Sequence, residues 1–302
     1  MPIVIPQDIP AYKKLLGENI FVMNNKRAIS QDIRPLEIAI LNLMPTKVET
    51  ETQFMRLLSN SPLQVNVTLV STSTYKSKNT AAEYLDKFYK NFDDIKDKKF
   101  DGMIITGAPV ETMDYEDVKY WEELKEIFDF ADKNVTSTIY ICWGAQAALY
   151  YHYGIRKKVL PEKVFGVFEH QKNKEVFEPL FKGFDDTFYI PHSRHTTVEL
   201  EDVKKVKDLI VLSATEKTGL SIAKSKDNKK IFLTGHMEYD RDTLKTEYER
   251  DLNKGLKIKA PLNYFVDGEN KQVDVKWTST ANLFYTNWLN YYVYQVTPYE
   301  FE

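Results

Sequence analysis

The chain of 302 residues holds a single cysteine, Cys142, and five histidines. Cys142 stands where the apolar run Thr138-Ile139-Tyr140-Ile141 gives way to Trp143-Gly144-Ala145. If the run is a strand and the following stretch a helix, the cysteine occupies a sharp strand-to-helix turn. That turn exposes a nucleophile above the sheet and leaves the next backbone N–H groups free to hold an oxyanion, here the N–H of Trp143. A helix N-terminus favours negative charge, so the thiol pKa is expected to be lowered there. Gly144 relieves crowding at so tight a turn. The competing reading is a buried cysteine acting as a small, inert hydrophobe.

A base can be placed beside it. His236-Met237-Glu238 follows the apolar run Lys230-Ile231-Phe232-Leu233-Thr234, with Gly235 between them. If both strands share a sheet, thiol and imidazole meet at one rim. Glu238, two residues on, points to the same side of an extended segment and can hold one ring nitrogen while the other faces the thiol. Cysteine, histidine and an orienting carboxylate are the parts of covalent acyl transfer. Against this stands a surface loop with a chance His-x-Glu. Lys47, just past the first apolar run, is placed either to approach the oxyanion or as a solvated loop lysine. The trio His192, His195 and His236 lacks the companion Cys-x-x-Cys or His-Glu-x-x-His spacing of a metal site, and no metal is expected.

The elements that must position these groups alternate in type. Strands are expected over 36–43, 63–70, 100–106 and 136–141, and helices over 50–58, 81–92, from Trp121 to Ala131, and 143–151, with Gly154 as a cap. The last third adds short strands at 209–213, 220–223 and 230–234 and helices near 243–252 and 280–292. Such alternation implies right-handed βαβ crossovers and a mostly parallel sheet flanked by helices, in one α/β domain spanning 1–302. The aromatic residues Phe284, Tyr285, Trp288, Tyr291 and Tyr292 are expected to pack in the core.

Composition bounds the rest. Forty-one basic and 44 acidic residues leave a net charge of −3, so no global field favours nucleic acid or an anionic membrane. One cysteine excludes an internal disulfide and any multi-cysteine metal centre. The first residues, Met1-Pro2-Ile3-Val4-Ile5-Pro6, lack the pattern of a secretion signal, and a cytoplasmic location is expected. Neither Gly-x-Gly-x-x-Gly nor a phosphate-loop motif occurs.

Six ordered blocks together carry a resemblance. They are Asn42-Leu43-Met44-Pro45-Thr46-Lys47 with Thr50-Glu51-Thr52-Gln53, Thr106-Gly107-Ala108-Pro109-Val110-Glu111, and Tyr140-Ile141-Cys142-Trp143-Gly144-Ala145-Gln146. The other three are Lys163-Val164-Phe165-Gly166-Val167-Phe168, Pro191-His192-Ser193-Arg194-His195-Thr196 and Gly235-His236-Met237-Glu238-Tyr239-Asp240. The chain resembles the homoserine O-acyltransferases, which are related to the class I glutamine amidotransferases. The resemblance implies a flavodoxin-like fold of the amidotransferase type, no cofactor, and L-homoserine and an acyl-CoA as substrates. It implies Cys142 as the acylated nucleophile, His236 as general acid/base and Glu238 as its orienting carboxylate, in a ping-pong sequence. Homoserine contacts map onto Lys163, Ser193 and Arg250, and a homodimer is the family expectation. Arg250 offers a planar fork suited to a carboxylate, although Glu247 and Arg250 are also spaced as an ordinary helix-surface pair.

In this family the position of Glu111 separates acyl donors, glycine going with succinyl-CoA and glutamate with acetyl-CoA. A second carboxylate about 4 Å from Glu111 would cost about 1–4 kcal/mol, roughly ten- to a thousandfold against succinyl. Acetyl-CoA is therefore the expected donor, with succinyl-CoA the alternative and a glutaminase a more distant one. Tyr140 stands where amidotransferase elbows usually have glycine. Departures from the family pattern at Arg156-Lys157 and Thr197 lie outside the proposed triad.

Overall fold

The computed structural model describes residues 3–18, 20, 22–24, 34–74, 80–266 and 272–297. In chain order the elements are β1 (Ile3–Val4), α1 (Pro10–Gly17), β2 (Val22–Met23), β3 (Leu36–Leu41), α2 (Lys47–Leu58), β4 (Val65–Ser71), α3 (Ala82–Phe88), β5 (Tyr89–Asn91), β6 (Phe100–Ile105), α4 (Trp121–Asn134), β7 (Val135–Ile141) and α5 (Trp143–Tyr153). They continue with β8 (Lys157–Gln171), β9 (Thr187–Val198), α6 (Leu200–Lys205), β10 (Leu209–Thr215), β11 (Gly219–Ser225), β12 (Lys230–Leu233), α7 (Thr243–Asn253) and α8 (Thr278–Asn287). The last helix runs on as a π-helical segment, Trp288–Tyr294.

Ten strands form one sheet in the order β10-β11-β12-β7-β6-β3-β4-β1-β2, with β5 also paired to β4. Pairing is parallel from β12 to β2, while β10 and β11 are antiparallel additions at one edge. Strands covered on both faces must be apolar on both, and every residue of β6 is buried. One face is covered by α1, α2, α8 and the π-helical segment, through residues such as Phe54, Leu58, Phe284 and Trp288. The other is covered by α4 and α5, through Trp121, Phe128, Trp143 and Leu149. Gly102 lets Trp288 lie directly on β6, since a Cβ there would fall 2.8 Å from the indole, and the indole N–H donates to Ser137 Oγ at 3.0 Å.

From β3 the chain crosses to β4 on one side, whereas β6, β7 and β12 build outward on the other. The strand order therefore reverses between β3 and β6, and a crevice opens beyond their carboxyl ends, where open α/β sheets take their ligands.

Two expectations need correction. The stretch 81–92 is not one helix: α3 stops at Phe88 and Tyr89–Asn91 pairs with β4, because Tyr89 is drawn into the core beneath Lys47 and Glu51. The chain between α5 and β10, for which no elements were expected, is a long antiparallel hairpin of β8 and β9. Its β9 strand lies against the segment after β12: the His236 N–H donates to Pro191 O at 2.8 Å, and a Cβ on Gly235 would meet Ile190 at 2.4 Å.

Candidate active site

The parallel register of β7 and β12 pairs Ile141 with Leu233, so both strands end at the same level of the rim. Cys142 follows directly, with φ 51° and ψ −115°, a left-handed backbone that side chains rarely adopt. Its N–H donates to Leu233 O at 2.7 Å, which ties the elbow to β12. The helix α5 starts at once, and Gly144 permits it: a Cβ there would lie 2.6 Å from Thr106 O and 3.1 Å from Ile105 O. The crowding is against β6, not within the turn. Trp143 opens the helix, so its N–H has no partner inside it. The cysteine is buried, but its surroundings are not inert.

His236 lies in hydrogen-bonding contact with Cys142 and is itself buried. Its Nδ1 is 2.6 Å from Glu238 Oε1, which leaves Nε2 for the sulfur. Glu238 reaches the ring from a turn, not along an extended segment as expected. The imidazole stacks on Tyr239, with centroids 4.2 Å apart and planes 15° from parallel. Burial pulls its pKa down, but the charges and hydrogen bonds of Cys142 and Glu238 outweigh burial and hold it well above the usual histidine value. Gly107 closes over the pair, since a Cβ there would be 3.2 Å from Cys142 Cβ and 3.6 Å from His236 Cε1.

The structure also gathers Lys163, Ser193 and Arg250, around two carboxylates of α7. Ser193 Oγ donates to Glu247 Oε2 at 2.5 Å, and Tyr239 OH donates to Glu247 Oε1 at 2.8 Å. Lys163 Nζ lies 3.8 Å from Glu247 and 3.6 Å from Asp251, over the Phe165 ring at 4.0 Å. Arg250 is half-exposed and turns its fork to Asp251 at 2.8 Å. Glu247 and Arg250 are thus not the surface pair that their spacing allowed: Glu247 faces inward and joins the stacked Tyr239 to Ser193.

Lys47 is not a solvated loop residue either. It opens α2, is buried, and donates from Nζ to Asn42 O at 2.5 Å; burial brings its pKa down to about 8, against the opposing pull of Glu51. Glu111 accepts from the His195 N–H at 2.7 Å and from Thr196 Oγ1 at 3.2 Å. Within the electrostatic reach of both Glu111 and the cysteine is a residue the sequence did not single out, Arg194. This fully buried guanidinium donates to the carbonyls of Thr196 and Thr218. Burial lowers its pKa, while the charges of Cys142 and Glu111 raise it. No sequence signal marks it, because an arginine between Ser193 and His195 reads as surface.

His192 and His195 part company. His192 Nε2 meets His170 Nε2 at 3.2 Å in the interior, and burial lowers the pKa of both rings, to about 3 for His170. His195 is exposed. Among the described residues no group of three or more His, Cys, Asp or Glu side chains is arranged to hold a metal ion.

Fold and site define a class: an amidotransferase-like α/β protein whose cysteine, histidine and glutamate meet at the carboxyl rim of a parallel sheet. The fold is shared with a glutamine amido transferase from Methylobacillus flagellatus, with TM-score 0.52 and 14% identity over 85% of this chain and 95% of that one. The family model described as homoserine O-succinyltransferase matches residues 2–299, and the chain belongs to that family. Among its relatives, a homoserine O-acetyltransferase of Clostridium novyi is 59% identical over 99% of each chain. Another, of Petrotoga mobilis, is 56% identical over 100% of this chain and 98% of its own.

Proposed function

We propose that the protein transfers the acetyl group of acetyl-CoA to the hydroxyl of L-homoserine by way of a thioester on Cys142. The observation that carries this reading is the contact chain from Cys142 through His236 to Glu238 at the sheet rim, where Cys142 and Glu238 raise the pKa of the imidazole between them. The cysteine sulfur attacks the thioester carbonyl, and the oxyanion forms beside the Trp143 N–H, with Lys47 a second candidate donor. The bond from carbonyl carbon to CoA sulfur breaks, and His236 gives its proton to the departing thiol. The now neutral imidazole takes the proton of the homoserine hydroxyl, whose oxygen attacks the acyl-cysteine. Cys142 leaves as thiolate beside a reprotonated His236, and the site is reset.

Lys163, Ser193 and Arg250 suit the acceptor amino acid, the two cations its carboxylate and Glu247 its ammonium group. Glu111 favours the uncharged acetyl over a succinyl group. The test is intact-mass measurement after brief exposure to acetyl-CoA without homoserine. A gain of one acetyl group, absent in Cys142→Ala, is expected, and an unmodified wild-type chain refutes the covalent route. With homoserine present, kcat/KM for acetyl-CoA should exceed that for succinyl-CoA; the reverse order makes the protein a succinyltransferase. Ammonia release from glutamine should be absent.

A further inference from the structure

At the crevice where the strand order reverses between β3 and β6, the rim opens into a cavity of about 820 Å³. Its inner end is formed by Asn42, Lys47 and Tyr89. The loop that reaches the nucleophile also reaches the cavity: Gly107 packs on Cys142, and Pro109 and Val110 form part of the cavity wall. The walls are mixed, with Leu43 and Met44 facing from the β3–α2 loop, Met113 and Tyr120 from the segment before α4, and the polar Ser71, Ser73 and Asn91 from the ends of β4 and β5. At the outer end stand Lys90 and Lys119, both exposed and neither ion-paired among the described residues, together with Asp86 and Asp94.

None of Lys163, Ser193, Arg250, Glu247 or Asp251 lines this cavity. Those residues come from β8, β9 and α7 around His236, whereas the cavity belongs to the ends of β3, β4, β5 and β6. The β8–β9 hairpin is a separate two-stranded sheet that packs on the segment after β12, whereas the strands of the cavity lie on the other side of β7, which carries the cysteine. An amino acid as small as homoserine would fill little of the cavity, whose charged side chains stand at its two ends. A volume of this size suits an elongated ligand of mixed polarity. Of the two substrates proposed above, only the acyl donor has one: a long arm of methylene and amide groups joining a thioester to phosphates.

We infer that this cavity holds the pantetheine arm of the acyl-CoA donor, its thioester delivered past Lys47 and Pro109 to Cys142 and its phosphates met by Lys90 and Lys119. The inference rests on the acyl-CoA reading of the previous subsection. It implies that donor and acceptor reach the sulfur from different flanks, so that free CoA departs without crossing the acceptor's site.

The test joins binding and kinetics. Calorimetric titration of CoA into Cys142→Ala protein gives a reference Kd. Adding Lys90→Glu and Lys119→Glu together should weaken CoA binding at least tenfold, with the gap narrowing as salt is raised. In the parent with Cys142 intact, the same pair should raise KM for acetyl-CoA and leave KM for homoserine and for S-acetyl-pantetheine, which lacks the nucleotide phosphates, within twofold. Met113→Trp, which narrows the wall, should raise KM for both thioesters yet leave acetylation of Cys142 by p-nitrophenyl acetate unchanged. Wild-type affinity for CoA in both variants, with Cys142 still acetylated by acetyl-CoA, overturns the cavity assignment alone. Failure of the wild-type chain to accept acetyl from acetyl-CoA removes the donor reading and this inference with it.

Discussion

Replacing Glu238 with glutamine tests the electrostatics of the site most directly. Glu238 Oε1 lies 2.6 Å from His236 Nδ1, with 5% and 3% of the two side chains exposed. The second oxygen, Oε2, has no hydrogen-bond partner among the described residues, so the carboxylate's one strong bond is to the imidazole. With charge centres about 4 Å apart and an effective dielectric of about 20, the pair is worth about 4 kcal/mol in favour of the protonated imidazole. An amide carbonyl keeps an acceptor at Nδ1 and recovers about 1–1.5 kcal/mol of this, so the imidazole pKa falls. Because the carboxylate raises the imidazole pKa, its loss lets the proton leave at lower pH. The basic limb of kcat/KM for acetyl-CoA should move toward neutrality, and kcat should drop by about 10²–10⁴. Stopped-time acylation across a pH series, with thermal unfolding as the fold control, measures both. An unmoved basic limb with kcat within threefold of the parent would refute the assignment of Glu238.

Glu111→Gly should raise the ratio of succinyl-CoA to acetyl-CoA kcat/KM by roughly ten- to a thousandfold; an unchanged ratio removes Glu111 from donor choice. Gly144→Ala puts a methyl 2.6 Å from the Thr106 carbonyl oxygen and should cost about 1–3 kcal/mol by denaturant unfolding. Acid should weaken the fold through the interior histidines His170 and His192, whose folded pKa values lie below their unfolded ones. Their stabilising contribution is complete above the unfolded value of about 6.5 and declines as pH falls toward the folded values, by about 2 kcal/mol each at pH 5. His236 acts in the opposite sense, but its contribution is already complete below about 6.5. The difference in urea midpoint between pH 7 and pH 5 should therefore shrink in His170→Gln, and an equal difference in variant and parent contradicts this.

The parallel core was readable because parallel strands buried on both faces are written as unbroken apolar runs, as in Leu36–Leu41 and Phe100–Ile105. The elbow was readable for the same reason, since Ile141 ends a run; the glycine at 144 reads in sequence as easing the turn, because the strand it actually makes room for, β6, is not its neighbour in the chain. The β8–β9 hairpin was not. Lys157–Gln171 carries a proline, scattered charges and no clean alternation, because part of the hairpin is exposed and part closes over the site. With the hairpin went Arg194, whose burial depends wholly on the strands around it. Glu247 was weighed only against its helix neighbours, since sequence spacing does not reveal that Tyr239 and Ser193 stand opposite it. The segment Tyr89–Asn91 was absorbed into a helix because three residues are too few to show a strand's period.

The backbone at Cys142 has a consequence for how this protein can be improved. A left-handed conformation at a residue with a side chain costs about 1–3 kcal/mol, and here it is enforced by the hydrogen bond to Leu233 and by the tight passage of α5 past β6. Cys142→Gly would release that tension and should melt at a higher temperature than the parent while losing all turnover. Selection for heat resistance alone would then drift toward a robust and silent protein, so any stabilisation campaign must screen for acyl transfer in the same step.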